Sequence, residues 1–155
     1  MRIGTGYDIH RLEKGEPLLL GGVKIPSEKG SVAHSDGDAL LHAITDALLG
    51  AAALGDIGQH FPDTDPQYKG KDSRYFLKEV CALIREKKYE IKNVDATVIL
   101  QSPKLAEHIP AIRRTIALCM ELDVDQVSVK AKTNEKLDAT GLGEGVMVQA
   151  VVLLS

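Results

Sequence analysis

The chain reads as an α+β domain: a mixed four-stranded sheet with helices on one face and a small β-hairpin beside it, in a ferredoxin-like arrangement. Three observations predict this. Residues 3–10 and 93–101 alternate with period two, residues 127–132 form a third strand, and residues 144–154 are almost unbroken apolar sequence, as in a central strand. The spacing turns helical over residues 38–54, from 72 or 73 to about 88, and from 109 onward. No repeat, linker or low-complexity segment interrupts the pattern, so residues 1–155 form one domain, large enough to bury about two-thirds of its unfolded surface.

In the first strand the bulky Ile3, Tyr7 and Ile9 fall on odd positions and Gly4, Gly6, Asp8 and His10 on even ones. Asp8 and His10 therefore project from the same face. Residues 17–26 read as a hairpin turning at Gly21-Gly22. Ser35, followed three residues on by Asp38, resembles a capping box, which starts the first helix near Asp36. Free N–H groups at such an end attract anions, and His34 and Ser35 stand beside it. Within the helix Leu40, Leu41, Ile44, Leu48, Ala51 and Leu54 share the buried face, while Asp38, His42 and Asp46 align on another.

Residues 55–66 place three acids and one aromatic among chain breakers. A loop this long in a compact domain tends to carry function. Its carboxylates can accept hydrogen bonds from a polyol while Ile57 and Phe61 cover methyl groups; the alternative is an ordinary solvated loop. His60 has no assigned role. Asp72 or Ser73 caps the next helix, whose Phe76, Leu77, Val80, Cys81, Leu83 and Ile84 point inward as scaffold. The strand at 93–101 sets Val94, Ala96, Val98 and Leu100 on one face. In the third helix Pro110 suits the first turn, and Ile109, Ile112, Ile116 and Cys119 form the buried stripe. The glycines of residues 140–145 alternate with no helix pattern behind them, which excludes a dinucleotide fingerprint.

Composition narrows the function further. A net charge of -3 argues against a nucleic-acid footprint. The basic clusters at 85–88 and 113–114 read as solvated faces or helix ends. Cys81 and Cys119 occupy apolar positions of separate helices and read as buried thiols. The first residues carry no apolar signal region, and the longest apolar run, 47–55, is too short to cross a bilayer. The expectation is a cytoplasmic bacterial protein, or one of the plastid stroma whose transit peptide has been removed, with neither nucleic acid nor membrane as partner.

A strand carboxylate, a strand imidazole and a helix imidazole, Asp8, His10 and His42, make a three-ligand set with a fourth position open, as in catalytic zinc sites. Asp38 and Asp46, one turn either side of His42, either orient its ring or are plain surface acids.

These stretches together resemble the 2-C-methyl-D-erythritol 2,4-cyclodiphosphate synthase family of the non-mevalonate isoprenoid pathway. The resemblance rests on Gly6-Tyr7-Asp8-Ile9-His10, on His34-Ser35-Asp36-Gly37-Asp38 with His42, Asp46 and Gly50, on Gly55-Asp56-Ile57-Gly58 with Phe61-Pro62-Asp63-Thr64-Asp65, and on Lys132-Thr133-Asn134-Glu135-Lys136 before Gly143-Glu144-Gly145. It covers nearly the whole chain. It implies a phosphorus-oxygen lyase that cyclises 4-diphosphocytidyl-2-C-methyl-D-erythritol 2-phosphate with release of CMP, through attack of the 2-phosphate on the β-phosphorus.

The resemblance further implies zinc on Asp8, His10 and His42, and a second divalent ion, magnesium or manganese, on Glu135. His34 and Thr133 would stabilise the transition state while Ser35 holds phosphate. Asp56 and Gly58 match positions at the ligand's hydroxyls, with Ile57 between them also at the substrate, and Phe61, Pro62, Asp63, Thr64 and Asp65 match the erythritol side. Leu100, Gln101, Ser102, Pro103, Lys104, Leu105 and Ala106, with Ala131, Lys132 and Thr133, match the cytidine side, and Asn134 is a further substrate-binding position. Family members are homotrimers with sites shared between subunits. Three departures stand out: Leu142 where many members have Arg lining a central trimer cavity, Asp138-Ala139 where Gly-Phe is common, and Lys132 where Thr is frequent. Two other readings compete, a zinc phosphoesterase that activates water and a non-catalytic trimeric ligand-binding protein.

Overall fold

A computed structural model describes residues 1–62 and 64–155. Its strands are Arg2–Lys14 (β1), Leu18–Leu20 (β2), Val23–Ile25 (β3), Lys29–Ser31 (β4), Ile91–Ile99 (β5), Val127–Lys132 (β6) and Gly145–Leu154 (β7). The helices are Ala39–Ala51 (α1), Ile57–His60 (α2), Ser73–Glu86 (α3), Ile109–Met120 (α4) and Asp138–Gly141 (α5). A mixed sheet of order β4-β1-β7-β5-β6 carries the helices on one face, and β2 pairs with β3 as a separate hairpin. Gly21 and Gly22, at φ 63° and 74°, supply the left-handed pair that this two-residue turn demands.

Class, mixed sheet and hairpin match the expectation, but the sheet has five strands rather than four. The added strand is β4, which pairs Leu12 with Ser31 and Lys14 with Lys29. Its Lys-Gly-Ser sequence has no alternation to announce it. It forms because β1 runs on to Lys14 and leaves an edge to be covered. The connection order also differs from a ferredoxin-like domain. Along the chain the long strands and main helices run β-α-α-β-α-β-β, and β5 and β6 are parallel, joined by α4 as the crossover.

The core lies between this sheet and α1, α3 and α4. In β7 Val146, Val148, Ala150, Val152 and Leu154 alternate inward, opposite Val94, Ala96 and Val98 of β5. Helix α1 is buried almost all round, with Leu40, Leu41, Ile44, Leu48 and Leu49 at 0% exposure. Each such side chain stabilises the fold by roughly 1.5–3 kcal/mol on burial. Cys81 and Cys119 are both buried and unpaired, and burial pushes the Cys81 thiol up to about 12. Among the described residues no helix is long and apolar enough to cross a membrane.

The face of β1 that packs on α1 is its small one. A Cβ added at Gly4 would lie 1.9 Å from the Ala47 carbonyl oxygen, and one at Gly6 would lie 1.9 Å from that of Ala43. Strand and helix therefore touch backbone to backbone. The bulky odd residues face outward instead, with Ile3 71%, Tyr7 51% and Ile9 46% exposed beside Val151 at 43%. Asp8 and His10 continue the glycine face, so the close contact aims both at α1.

Candidate metal centre

One face of β1 and one turn of α1 bring three ligand atoms together. Asp8 Oδ2 lies 3.0 Å from His10 Nε2 and 3.0 Å from His42 Nδ1, and the two ring nitrogens are 3.3 Å apart. The edge of a tetrahedron is about 1.6 times its bond length, so bonds of about 2.0–2.1 Å give edges of about 3.3 Å. The triangle thus has the dimensions of one face of a tetrahedral metal site. Its donors, two imidazoles and a carboxylate, suit such an ion, and among the described residues this is the only group of three or more such ligands so placed.

Electrostatics agree with the geometry. Burial works to raise the Asp8 pKa, but hydrogen bonds and charge from His10 and His42 outweigh it and hold the carboxyl below the ordinary carboxylate range. Burial pulls the His42 imidazole down, and its bond to Asp8 with the charges of Asp8, Asp38 and Asp36 carries it above the usual histidine value. A cation is the natural occupant between these groups.

A cavity of about 700 Å³ opens over the cluster. His34 and Ser35 line it from the loop before α1, and Ile57, Gly58, Phe61 and Thr64 line it from the acidic loop. Asp56, Pro62 and Asp65 do not line it. Asp56 caps α2 through Gln59 N–H at 3.0 Å, and Asp65 accepts from Gln67 N–H at 3.0 Å at the start of a 3-10 turn. Asp63 lies outside the described residues. Val32, Ala33, Pro66, Tyr68, Lys69 and Phe76 complete the wall; Pro66 closes the loop already read as functional, and sequence reasoning missed the other five as site residues. Phe61 packs on Phe76 and Tyr68 at ring-centroid distances of 4.8 and 5.5 Å. That cluster explains why Phe76, read as plain scaffold, reaches the cavity.

Two acids proposed to orient His42 do other work. Asp38, not a Ser35-started box, is the N-cap of α1, which begins at Ala39 rather than near Asp36. Its wholly buried carboxylate accepts from Leu41 N–H (3.0 Å), Gly21 N–H (2.9 Å) and Gly22 N–H (2.6 Å), tying the hairpin to the helix. Burial raises its pKa against those three donors. Asp46 accepts from Ile57 N–H at 2.7 Å and so anchors the acidic loop. Burial, then the charges of Asp56 and Asp8, raise its pKa. The groups at the His42 ring edge are Ser73 Oγ, 2.8 Å from Nε2, and Ser35 Oγ, 3.4 Å from it.

A second cavity of about 300 Å³ gathers Leu100, Gln101, Pro103, Lys104, Leu105, Ala106, Ala131, Lys132 and Thr133, with Ile109. Ser102 and Asn134 stand outside its lining. Thr133 donates to Glu135 at 2.7 Å. Glu135, Lys136 and Asp138 all adopt left-handed φ, at 50°, 64° and 53°. Asp138 holds this glycine-favoured conformation because its carboxylate accepts from Thr140 N–H (2.8 Å), Thr140 Oγ (2.7 Å) and Gly141 N–H (3.2 Å). The two cavities share no lining residue: His34 and the metal cluster line the first, Thr133 lines the second, and Glu135 lines neither.

Comparison with known proteins follows the same lines. The family model described as the YgbB family matches residues 1–155. A protein of Clostridium perfringens (strain 13 / Type A), called 2-C-methyl-D-erythritol 2,4-cyclodiphosphate synthase, is 58% identical over 154 residues, covering 99% of each chain. One of the same name from Azotobacter vinelandii is 60% identical over 154 residues, covering 99% of this chain and 98% of its own. A solved structure of such a synthase in a CDP-bound form superposes with a TM-score of 0.93 at 45% identity, covering 99% of this chain and 100% of that one.

Proposed function

Because this chain belongs to the YgbB family and its relatives at this level are 2-C-methyl-D-erythritol 2,4-cyclodiphosphate synthases, which makes it a lyase of that kind, we propose that it converts 4-diphosphocytidyl-2-C-methyl-D-erythritol 2-phosphate to the 2,4-cyclodiphosphate with release of CMP. In the reaction an oxygen of the 2-phosphate bonds to the β-phosphorus, the bond from that phosphorus to the CMP phosphate breaks, and CMP leaves with the electron pair. No water is consumed.

One observation carries the reading: Asp8, His10 and His42 converge in the same cavity that His34 and Ser35 line. Asp8, His10 and His42 would hold zinc, which when bound supplies Lewis-acid polarisation of the β-phosphate and a template for its alignment. His34 and Ser35 donate hydrogen bonds to phosphate oxygens on which negative charge gathers. Ile57, Phe61 and Phe76 give an apolar wall that covers the erythritol carbon chain and excludes water. Gly58 and Thr64, which line the same cavity, meet its hydroxyls.

The smaller cavity takes the cytidine, with backbone groups of residues 100–106 and Ala131 reading the base edge and Lys132 near its phosphates. Glu135 would hold a second divalent cation, magnesium or manganese, which neutralises phosphate charge, and Thr133 steadies that carboxylate. The separation of the two cavities supports a homotrimer in which one subunit supplies the zinc half and its neighbour the nucleotide half. The outward apolar row Ile3, Tyr7, Ile9 and Val151 supports the same assembly, because it leaves a sheet face to be covered. Such a protein works in the cytoplasm of a bacterium.

The test is incubation of the purified protein with the authentic substrate in oxygen-18 water. The expected products are CMP and the cyclic diphosphate, both free of the label. Linear, labelled phosphates would overturn the reading in favour of a zinc-dependent phosphoesterase.

A further inference from the structure

His42 offers two ring nitrogens, and only an unprotonated one can bind a metal. Nδ1 faces Asp8 and His10, while Nε2 faces Ser73 Oγ at 2.8 Å. Ser73 is the first residue of α3 and is 1% exposed. Its hydroxyl also bonds to Asp36 Oδ1, and its backbone N–H donates to Asp36 Oδ2 at 2.8 Å. The N–H of Asp38 adds a third donor to the same carboxylate at 3.2 Å.

Proton accounting fixes the direction of this chain. The Asp36 carboxylate accepts throughout, from the two N–H groups and from the Ser73 hydroxyl, whose proton therefore points to Asp36. The lone pairs of Ser73 Oγ then accept from Nε2–H, which leaves Nδ1 without a proton and aimed at the other two ligands. We propose that Asp36 and Ser73 are positioning residues that set the tautomer and ring orientation of His42 for metal binding. Ser35 Oγ, at 3.4 Å, is the weaker neighbour of the same nitrogen. The arrangement spans two helices, so docking of α3 against the loop before α1 completes the metal site. Partners of this kind at a ligating histidine change metal affinity by about 10–100-fold.

The proposal rests on the zinc reading above, and stoichiometric zinc in the unaltered protein tests that reading by itself. Ser73→Ala removes the acceptor for Nε2–H but keeps the Ser73 backbone bond to Asp36. Its zinc dissociation constant, measured by chelator competition, is expected to rise about 10–100-fold while the zinc-free protein melts within a few degrees of the unaltered one. Asp36→Asn is expected to weaken zinc at least as much, because its amide can donate to Ser73 and turn the hydroxyl proton toward Nε2, favouring the wrong tautomer. A separate readout needs no variant: in zinc-loaded protein labelled with nitrogen-15 histidine, His42 is expected to show a slowly exchanging Nε2–H. Zinc affinity unchanged within twofold in folded Ser73→Ala, or a fast-exchanging Nε2–H in the unaltered protein, would overturn the proposal.

Discussion

Asp8 and His42 are 34 positions apart in sequence, yet Asp8 Oδ2 lies 3.0 Å from His42 Nδ1. The contact joins the middle of β1 to the first turns of α1. His42→Ala removes one of three metal ligands while leaving the buried faces of strand and helix untouched. Its zinc content by elemental analysis is expected to fall well below one per chain, with the melting temperature of the zinc-free form within a few degrees of the parent. Unchanged zinc stoichiometry would refute the ligand assignment.

The same pair sets a pH window in the zinc-free protein. Asp8 has a folded pKa below its ordinary 3.8, so its contribution is full above 3.8 and fades as pH falls toward the folded value. His42 has a folded pKa above its ordinary 6.5, so its contribution is full below 6.5 and is lost as pH rises through the folded value. Asp8→Asn is therefore expected to lower the zinc-free melting temperature most between pH 3.8 and 6.5, and less above that range. Zinc affinity runs the opposite way and rises with pH, because the imidazole must lose a proton to bind. Melting curves across this range, with and without zinc, check both slopes.

Gly6 tests how the site is held. Its added Cβ would sit 1.9 Å from a backbone oxygen of α1, a contact that no rotamer change relieves. Gly6→Ala is expected to cost about 1–3 kcal/mol or more, since helix and strand must part. The movement also carries Asp8 and His10 away from His42. Denaturant unfolding should show the lost stability, and chelator competition should show weaker zinc in whatever fraction folds. Equal zinc affinity would mean that the backbone contact does not set the ligand spacing.

These contacts mark how far the chain is legible as sequence. The even-position set Gly4, Gly6, Asp8 and His10 already shares a face by parity, and the spacing around His42 already reads as helix. That those two faces meet is a tertiary fact, which the ligand chemistry of Asp8, His10 and His42 suggests and no spacing along the chain dictates. Asp38 was misread because a capping box is a local pattern, whereas two of its three donors come from Gly21 and Gly22 of the hairpin. Ser73 and Asp36 were missed for the same reason, lying 37 positions apart. Tyr68 and Phe76 pack on Phe61 and line the same cavity, a cluster that no local spacing announces.

The last prediction concerns the two cavities. If a working site takes its zinc half from one subunit and its nucleotide half from the next, inactive variants of the two halves should rescue each other. His42→Ala keeps an intact Thr133, and Thr133→Ala keeps an intact His42, so trimers assembled from both contain some interfaces with neither defect. Random mixing in a closed ring makes about one site in four whole, since each of the two required residues is intact with a chance of about one half. Co-expressed variants are thus expected to recover up to about a quarter of the parent's CMP release, from parents that alone are nearly inactive. Two defects confined to one chain's own site would give no recovery, because every site would then carry one or the other. Failure to rescue in trimers shown by sedimentation to be mixed would place both halves of the chemistry within a single subunit.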